Sequence, residues 1–132
     1  MTNWTAALIT GDSGDPQRPI RLRTAFAAGA SGGTLRVTAA GIYRVWLNGA
    51  QVGHHVLAPG WTTYSHRHLV QEFAVSELRP AGNVLAIEVA EGWWRGRLGF
   101  GEGVRENYGT EIGAFAELRD DAGELIVATD GS

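Results

Sequence analysis

The 132-residue sequence predicts an all-β protein, an antiparallel β-sandwich of the jelly-roll type. Short runs in which apolar and polar residues alternate recur along the chain, and this alternation is typical of half-buried strands. Turn-forming Gly, Pro, Asn and Asp separate the runs at intervals of about 8–12 residues, the spacing of sandwich folds. We therefore expect about eight or nine strands. They form a single domain over residues 1–132.

The first half of the chain contains three predicted strands and then the clearest turn signal. Residues 4–9 are β-prone, Ile20–Phe26 alternates apolar with charged residues, and residues 34–39 alternate again. Asn48 and Gly49 then separate two further β-prone runs. Because both residue types tolerate positive φ at low cost, this pair predicts a tight hairpin with a type I′ turn.

The second half continues the same pattern with one interruption. Four more runs have strand character, over residues 69–75, 84–89, 112–118 and 124–128. Ser76 is a suitable N-cap for a single helical turn over residues 77–79. Residues 101–109 are rich in glycine and charge, and we expect them to form a surface loop.

Composition excludes several classes of partner and site. The net charge of −3 disfavours nucleic acid and anionic membranes as partners. The chain has no cysteine, so neither a disulfide framework nor a thiolate metal site is expected. There is no charged-then-apolar leader and no long apolar run, which predicts neither a signal peptide nor a membrane span. The cellular location stays open.

Catalytic patterns are weak in this sequence. Glycoside hydrolysis needs two converging carboxylates, but Glu88 and Glu91 are three residues apart along one predicted strand and point to opposite faces. His66 and His68 have a spacing that occurs in metal sites, yet no third ligand accompanies them. We therefore expect no catalytic residue and no metal site in this chain.

The stretch from Glu91 to Phe100 carries the clearest binding chemistry. Sugars present C–H faces that stack on indole rings, and their hydroxyls pair with guanidinium and carboxylate groups. Of the adjacent Trp93 and Trp94, we expect Trp94 to pack inside and Trp93 to face outward, because neighbours on an extended chain point to opposite faces. The candidate residues for carbohydrate binding or for contact with a neighbouring domain are Trp61, Tyr64, Glu91, Trp93, Trp94, Arg95 and Arg97.

Three separated segments together suggest a family. Leu-Asn-Gly-x-x-Val-Gly at residues 47–53, Leu-Ala-Pro-Gly-Trp-Thr-x-Tyr at 57–64 and Gly-Trp-x-Arg-Gly-Arg-Leu-Gly-Phe at 92–100 follow one another in order. In these segments the chain resembles the N-terminal β-sandwich domain of bacterial α-L-rhamnosidases. The resemblance implies a galactose-binding-like fold, excised from a larger multidomain glycoside hydrolase whose catalytic carboxylates lie in a separate helical barrel.

The resemblance implies two alternative roles for the domain. It is either a weak binding module for rhamnose-containing carbohydrate or a structural domain that packs against the catalytic domain of the parent chain. Related modules bind L-rhamnose with the help of calcium, but Thr63 stands here where a carboxylate commonly lies. Calcium prefers several carboxylate or carbonyl oxygens, so we expect no cofactor in this chain.

Overall fold

The computed structural model describes residues 4–11, residue 15 and residues 17–130. Within them lie eight strands and one short helix. The strands are β1 Ile20–Phe26, β2 Gly33–Ala40, β3 Ile42–Leu47, β4 Ala50–Gln51, β5 Gln71–Val75, β6 Asn83–Ala90, β7 Gly113–Arg119 and β8 Leu125–Ala128. The helix, α1, spans Gly92–Arg95 between β6 and β7. None of the described helical residues forms a helix long and apolar enough to span a membrane.

The strands form two antiparallel sheets of four strands each. The front sheet has the order β1-β6-β3-β4, and the back sheet has the order β5-β2-β7-β8. The predicted antiparallel jelly-roll β-sandwich is confirmed, and so are the strands from Ile20 onward apart from small shifts at their ends. The core lies between the sheets, because each strand turns its alternate apolar residues inward.

Burial alternates residue by residue in the central strands. In β6, Leu85, Ile87 and Val89 are almost completely buried, while the residues between them are half-exposed. Leu35 and Leu118 of the back sheet oppose them from the other side of the core and have no exposed surface. Burying a side chain of this size contributes about 1.5–3 kcal/mol, so these layers are the main source of stability.

The predicted hairpin between β3 and β4 is confirmed. Asn48 has a φ of 51° and Gly49 a φ of 85°, the pair of positive values that a type I′ turn requires. The Asn48 side chain also accepts a hydrogen bond from the Val84 amide at 2.8 Å. The turn is therefore attached to the neighbouring strand β6 as well as to its own hairpin.

The predicted helical turn over residues 77–79 is wrong. Glu77 has a φ of 59°, a left-handed conformation that a right-handed helix does not contain. The fully buried Asn83 side chain fixes this segment instead, since it accepts from the Arg79 amide at 2.9 Å and donates to the Arg79 carbonyl at 2.6 Å. A buried amide thus satisfies the backbone groups that helical hydrogen bonds were expected to satisfy.

The predicted first strand, residues 4–9, is also wrong in extent. This segment has one isolated bridge, from Ile9 to Ala114 of β7, and a hydrogen bond from the Ala7 amide to the Thr129 carbonyl at 2.8 Å. It follows the edge of the back sheet beyond the end of the short strand β8. Few ladder hydrogen bonds hold it there, so side chains must supply its remaining attachment.

Glu117 supplies that attachment. Its carboxylate has no exposed surface and accepts a hydrogen bond from the Thr5 amide at 2.9 Å. The guanidinium groups of Arg36 and Arg119 lie 3.2 Å and 3.4 Å from the same carboxylate, and the Trp4 ring covers Arg36. Burial raises the pKa of Glu117, but the Thr5 amide and Arg119 outweigh it and hold the pKa below its ordinary value.

We predict that Glu117→Gln lowers the free energy of unfolding at neutral pH by about 2 kcal/mol, because charge-assisted hydrogen bonds are lost. The folded pKa lies below the unfolded one, so ionised Glu117 stabilises the fold above its unfolded pKa of about 4.3. That contribution disappears as the pH falls through the folded pKa. Urea unfolding between about pH 7 and pH 3 should show a smaller acid-induced loss in the variant.

Glu124→Gln is the matched control for this prediction, because Glu124 is exposed and only its backbone forms hydrogen bonds. It should follow the wild-type pH dependence. A Glu117→Gln variant that loses stability in acid as steeply as the wild type would contradict the role assigned to the carboxylate.

Candidate aromatic binding site

A single helical turn begins where the alternation of β6 ends. Gly92 opens α1 with a φ of 51°, and a Cβ at this position would lie 2.6 Å from the Cγ2 atom of Ile42. Only glycine combines this conformation with such close approach to β3. The turn rotates successive side chains by about 100° rather than 180°, which separates Trp93 from Trp94 without placing them on opposite faces.

Trp94 packs against the hydrophobic core, so its predicted inward orientation is confirmed. Its indole nitrogen donates to the Glu111 carbonyl at 2.9 Å. Tyr64 meets the Trp94 ring edge-on with a centroid separation of 5.3 Å, and Tyr108 meets Tyr64 edge-on at 4.8 Å. Ring contacts connect Tyr64, His68, Trp94 and Tyr108, and a hydrogen bond from Trp61 to Tyr108 links this set to the Trp61–Trp93 pair. We call these six side chains the aromatic cluster, which consists of Trp61, Tyr64, His68, Trp93, Trp94 and Tyr108.

The outer end of the aromatic cluster is a stacked pair of tryptophans. Trp61 and Trp93 are nearly parallel, with an interplanar angle of 6° and a centroid separation of 5.8 Å. Trp61 is 54% exposed, and its indole nitrogen donates to the Tyr108 hydroxyl at 3.3 Å. Trp93 is half-buried, so it lies against Trp61 rather than facing solvent freely as predicted.

Tyr64 lies on the inner side of the cluster and is 8% exposed. Its hydroxyl donates to the Gly60 carbonyl at 2.9 Å. Burial raises the pKa of Tyr64 above its ordinary value, and the neighbouring Tyr108 raises it further. The Tyr64 hydroxyl therefore stays protonated at neutral pH and acts as a fixed hydrogen-bond donor.

Glu91 joins α1 to the loop that follows it. Its Oε1 atom accepts from the Arg95 Nε at 3.0 Å and also from Arg105. Arg95 is only 7% exposed, and it donates to the Thr110 carbonyl at 3.2 Å as well. Arg95 and Glu91 thus form an ion pair within the domain. Both side chains are engaged within the domain and hold the loop in place.

The segment after α1 forms a small exposed hairpin, which we call the Phe100 hairpin and define as residues 97–104. Leu98 and Val104 form a bridge with two backbone hydrogen bonds of 2.7 Å and 2.8 Å. Phe100 at its tip is fully exposed, and Val104 is 62% exposed. Arg97 is exposed, and its guanidinium group donates a hydrogen bond to the backbone carbonyl of Glu102.

The sequence-predicted candidates therefore divide into two groups. Trp61, Arg97 and half-buried Trp93 form the outer group, whereas buried Tyr64 and Arg95 form the inner group with half-buried Trp94 and Glu91. The structure adds Tyr108 and His68 to the aromatic cluster, and sequence reasoning missed both. Tyr108 belongs to the glycine-rich segment read as a loop, and nothing in its spacing indicates contact with residues more than forty positions earlier.

The histidines show no arrangement typical of a metal site. His68 lies with its Nε2 atom 2.7 Å from the Ala39 carbonyl, against the rings of Tyr64 and Trp94. His66 is exposed on the same loop. Within the part of the chain that the structure describes, no three His, Cys, Asp or Glu side chains come together as a metal-binding group.

Two facing antiparallel sheets of four strands define the chain as a β-sandwich domain. The family model of the alpha-L-rhamnosidase N-terminal domain matches residues 30–132, and the chain belongs to this family. It is 44% identical over 86 residues to an alpha-L-rhamnosidase of Streptomyces avermitilis. That match covers 64% of this chain and 8% of the relative.

Solved structures agree with this assignment. Native α-L-rhamnosidase from Aspergillus terreus matches with a TM-score of 0.82 and 31% identity, over 97% of this chain and 16% of that one. The Streptomyces avermitilis enzyme complexed with L-rhamnose matches with a TM-score of 0.73 and 34% identity, over 83% and 11%. Relatives thus occur in a fungus as well as in bacteria, and the chain spans a small fraction of their length.

We predict that Gly92→Ala destabilises the fold by about 1–3 kcal/mol and separates the Trp61–Trp93 stack, because the new Cβ collides with Ile42. Urea unfolding gives the loss of stability, and near-UV circular dichroism reports the coupling between the stacked indoles. Gly101→Ala is the matched control, since Gly101 has a φ of 66° and open space around it. Equal losses in both variants would contradict the steric role of Ile42.

Proposed function

We propose that this chain is a non-catalytic accessory domain of an α-L-rhamnosidase and that the Trp61–Trp93 stack binds rhamnose-containing carbohydrate weakly. The observation that carries the proposal is the half-exposed Trp61 ring, held parallel to Trp93 and oriented by the Tyr108 hydroxyl. A pre-oriented indole surface is the feature that binds the C–H face of a sugar ring. Exposed Arg97, on the neighbouring hairpin, supplies donors for sugar hydroxyls.

Glu88 and Glu91, the two carboxylates considered as a catalytic pair, are both engaged in ion pairs, which supports a non-catalytic role. Glycoside hydrolysis uses two carboxyl groups on either side of the bond that breaks. Glu91 is engaged by Arg95 and Arg105, and Glu88 is paired with Arg21 on the outer face of the front sheet. Neither carboxylate is left free for proton transfer to a sugar. The relatives that share this fold carry it as a small part of a much longer chain.

We predict that L-rhamnose shifts the indole N–H resonances of Trp61 and Trp93 with a Kd on the order of 1 mM, or about −4 kcal/mol. A single sugar on an open surface buries little area, so the binding is weak. Trp61→Ala should abolish the shifts. The titration is repeated with calcium and with chelator, and the shifts should not change, because the described residues contain no group of His, Cys, Asp or Glu side chains that could hold a metal ion.

D-Glucose serves as the ligand control, and Phe100→Ala is the matched aromatic control at the surface. Wild-type protein that gives no shifts at tens of millimolar L-rhamnose, roughly ten times the expected Kd, would contradict carbohydrate binding at this site.

The Phe100 hairpin supports a second function, contact with the catalytic domain of the parent chain. A fully exposed phenylalanine beside a largely exposed valine is unfavourable in water and is typical of a surface that another protein covers. The hairpin has a fixed internal conformation, because the Leu98–Val104 bridge and the hydrogen bond from Arg97 to the Glu102 carbonyl join its two sides. This role is compatible with sugar binding at the tryptophan stack.

For this second function we predict weak self-association of the isolated 132-residue chain. Phe100→Ser should lower it, because the apolar side chain that drives association is removed. Sedimentation velocity across a range of protein concentrations measures the effect, with Thr24→Ser as a control on an exposed strand residue. A wild-type chain that stays monomeric at every concentration would argue against the hairpin as a covered surface.

A further inference from the structure

The outer face of the front sheet carries a second group of residues suited to ligand binding. The inward residues of β1, β6 and β3 form the core, so the alternate residues point outward. One cross-strand row contains Arg21, Glu88 and Arg44, and the next row contains Arg23, Ala86 and Trp46. Ala86 of β6 lies opposite Trp46 in this row. Because the alanine side chain is small, it leaves space beside the half-exposed Trp46 indole.

The charge on this face is opposite to that of the whole molecule. The chain has a net charge of −3, yet this face presents three guanidinium groups and a single carboxylate. Arg21 pairs with Glu88 at 2.8 Å between Nε and Oε2. Arg23 and Arg44 are both exposed, and neither forms an ion pair or a side-chain hydrogen bond with any of the described residues. The face is therefore locally positive, with two arginines available to a ligand.

A groove lies at the Arg44 end of the same face. The backbone after β4 returns to β3, where the Tyr43 amide donates to the Ala58 carbonyl at 2.7 Å. This return places exposed Val56 and Leu57 beside Arg44 and Glu88 and encloses about 260 Å³. The groove is lined by Ile42, Tyr43, Arg44, Val56, Leu57, Glu88 and Ala90. A pocket with one apolar wall and charged groups opposite suits a single sugar ring better than a purely apolar ligand.

We propose that this groove binds a sugar that carries a carboxylate, such as a uronic acid unit of a polysaccharide. The planar guanidinium of Arg44 matches a carboxylate with two parallel hydrogen bonds. Glu88 accepts from ring hydroxyls, and the apolar wall of Val56 and Leu57 contacts the C–H face of the ring. A strand rises about 3.3 Å per residue, so Trp46 lies about 7 Å from Arg44 on the same face, in position to stack on the next sugar.

The proposal does not depend on sugar binding at the tryptophan stack. None of the residues that line the groove belongs to the aromatic cluster. The two sites also differ in the ligands that they favour. The stack offers a flat ring to a neutral sugar, whereas the groove offers the unpaired guanidinium group of Arg44 to an anionic one. Failure at one site therefore leaves the other unaffected, and separate variants test them.

The test is a titration of the 132-residue chain with digalacturonate, followed by backbone amide and indole N–H shifts. Shifts are expected at Arg44, Glu88 and Ala90 and at the Trp46 indole, with a Kd on the order of 1 mM. Arg44→Gln should weaken binding at least about fivefold, because it removes a charge-assisted pair. Raising the salt concentration should weaken binding in the wild type more than in the variant.

Arg79→Gln is the matched control, because it removes the same charge from an exposed position outside the groove. Trp61→Ala should leave digalacturonate binding unchanged. Equal shifts with the neutral disaccharide galactobiose, or an Arg44→Gln variant that binds like Arg79→Gln, would overturn the proposal. So would shifts confined to Trp61 and Trp93, and galactose 6-sulfate that binds as tightly as galacturonate would overturn the assignment to a carboxylate.

Discussion

The paired contact of Glu91 with Arg95 and Arg105 determines how the end of the domain that carries the aromatic cluster is built. A carboxylate at the end of β6 accepts from one guanidinium in α1 and from another in the following loop. Because all three side chains are at least partly buried, water competes weakly for these bonds. The long glycine-rich loop thereby acquires a fixed course, and Tyr108 reaches Trp61 and Tyr64. The two guanidinium groups, together with the backbone hydrogen bonds from Glu106 to Arg95 and from Tyr108 to Trp94, support the tryptophan stack.

The strand pattern of the fold was readable from the sequence because it depends on local alternation. Ile20–Phe26, the Asn48-Gly49 turn and the β6 strand each express their structure through neighbouring residues. The two errors arose where a buried polar side chain, rather than the apolar pattern, decides the conformation. Asn83 holds the segment after β5 through its buried amide, and Glu117 holds the N-terminal segment across a sequence distance of more than a hundred residues. The alternation of apolar and polar residues does not reveal which polar side chains are buried in this way.

The candidate site was only partly readable for the same reason. The spacing of Trp93 and Trp94 indicated one inner and one outer ring, and the inner ring was assigned correctly to Trp94. It did not indicate that Trp61, thirty-two positions earlier, covers Trp93. Arg95 and Tyr64 looked like surface ligands by residue type, yet both are buried and engaged with backbone carbonyls. Residue type suggested the chemistry of the segment, whereas tertiary contacts selected which side chains reach solvent.

The very short strand β4 has a consequence for the behaviour of the domain in concentrated solution. An exposed sheet edge offers unpaired backbone groups to strands of other molecules, which promotes aggregation. Here one edge of the front sheet is only two residues long, and the other edge, β1, carries Arg21 and Arg23. A long foreign strand that paired with either edge would leave charged side chains without partners or backbone groups without hydrogen bonds. The front sheet therefore resists intermolecular β-sheet growth even though the domain exposes the large apolar side chains of Trp61 and Phe100.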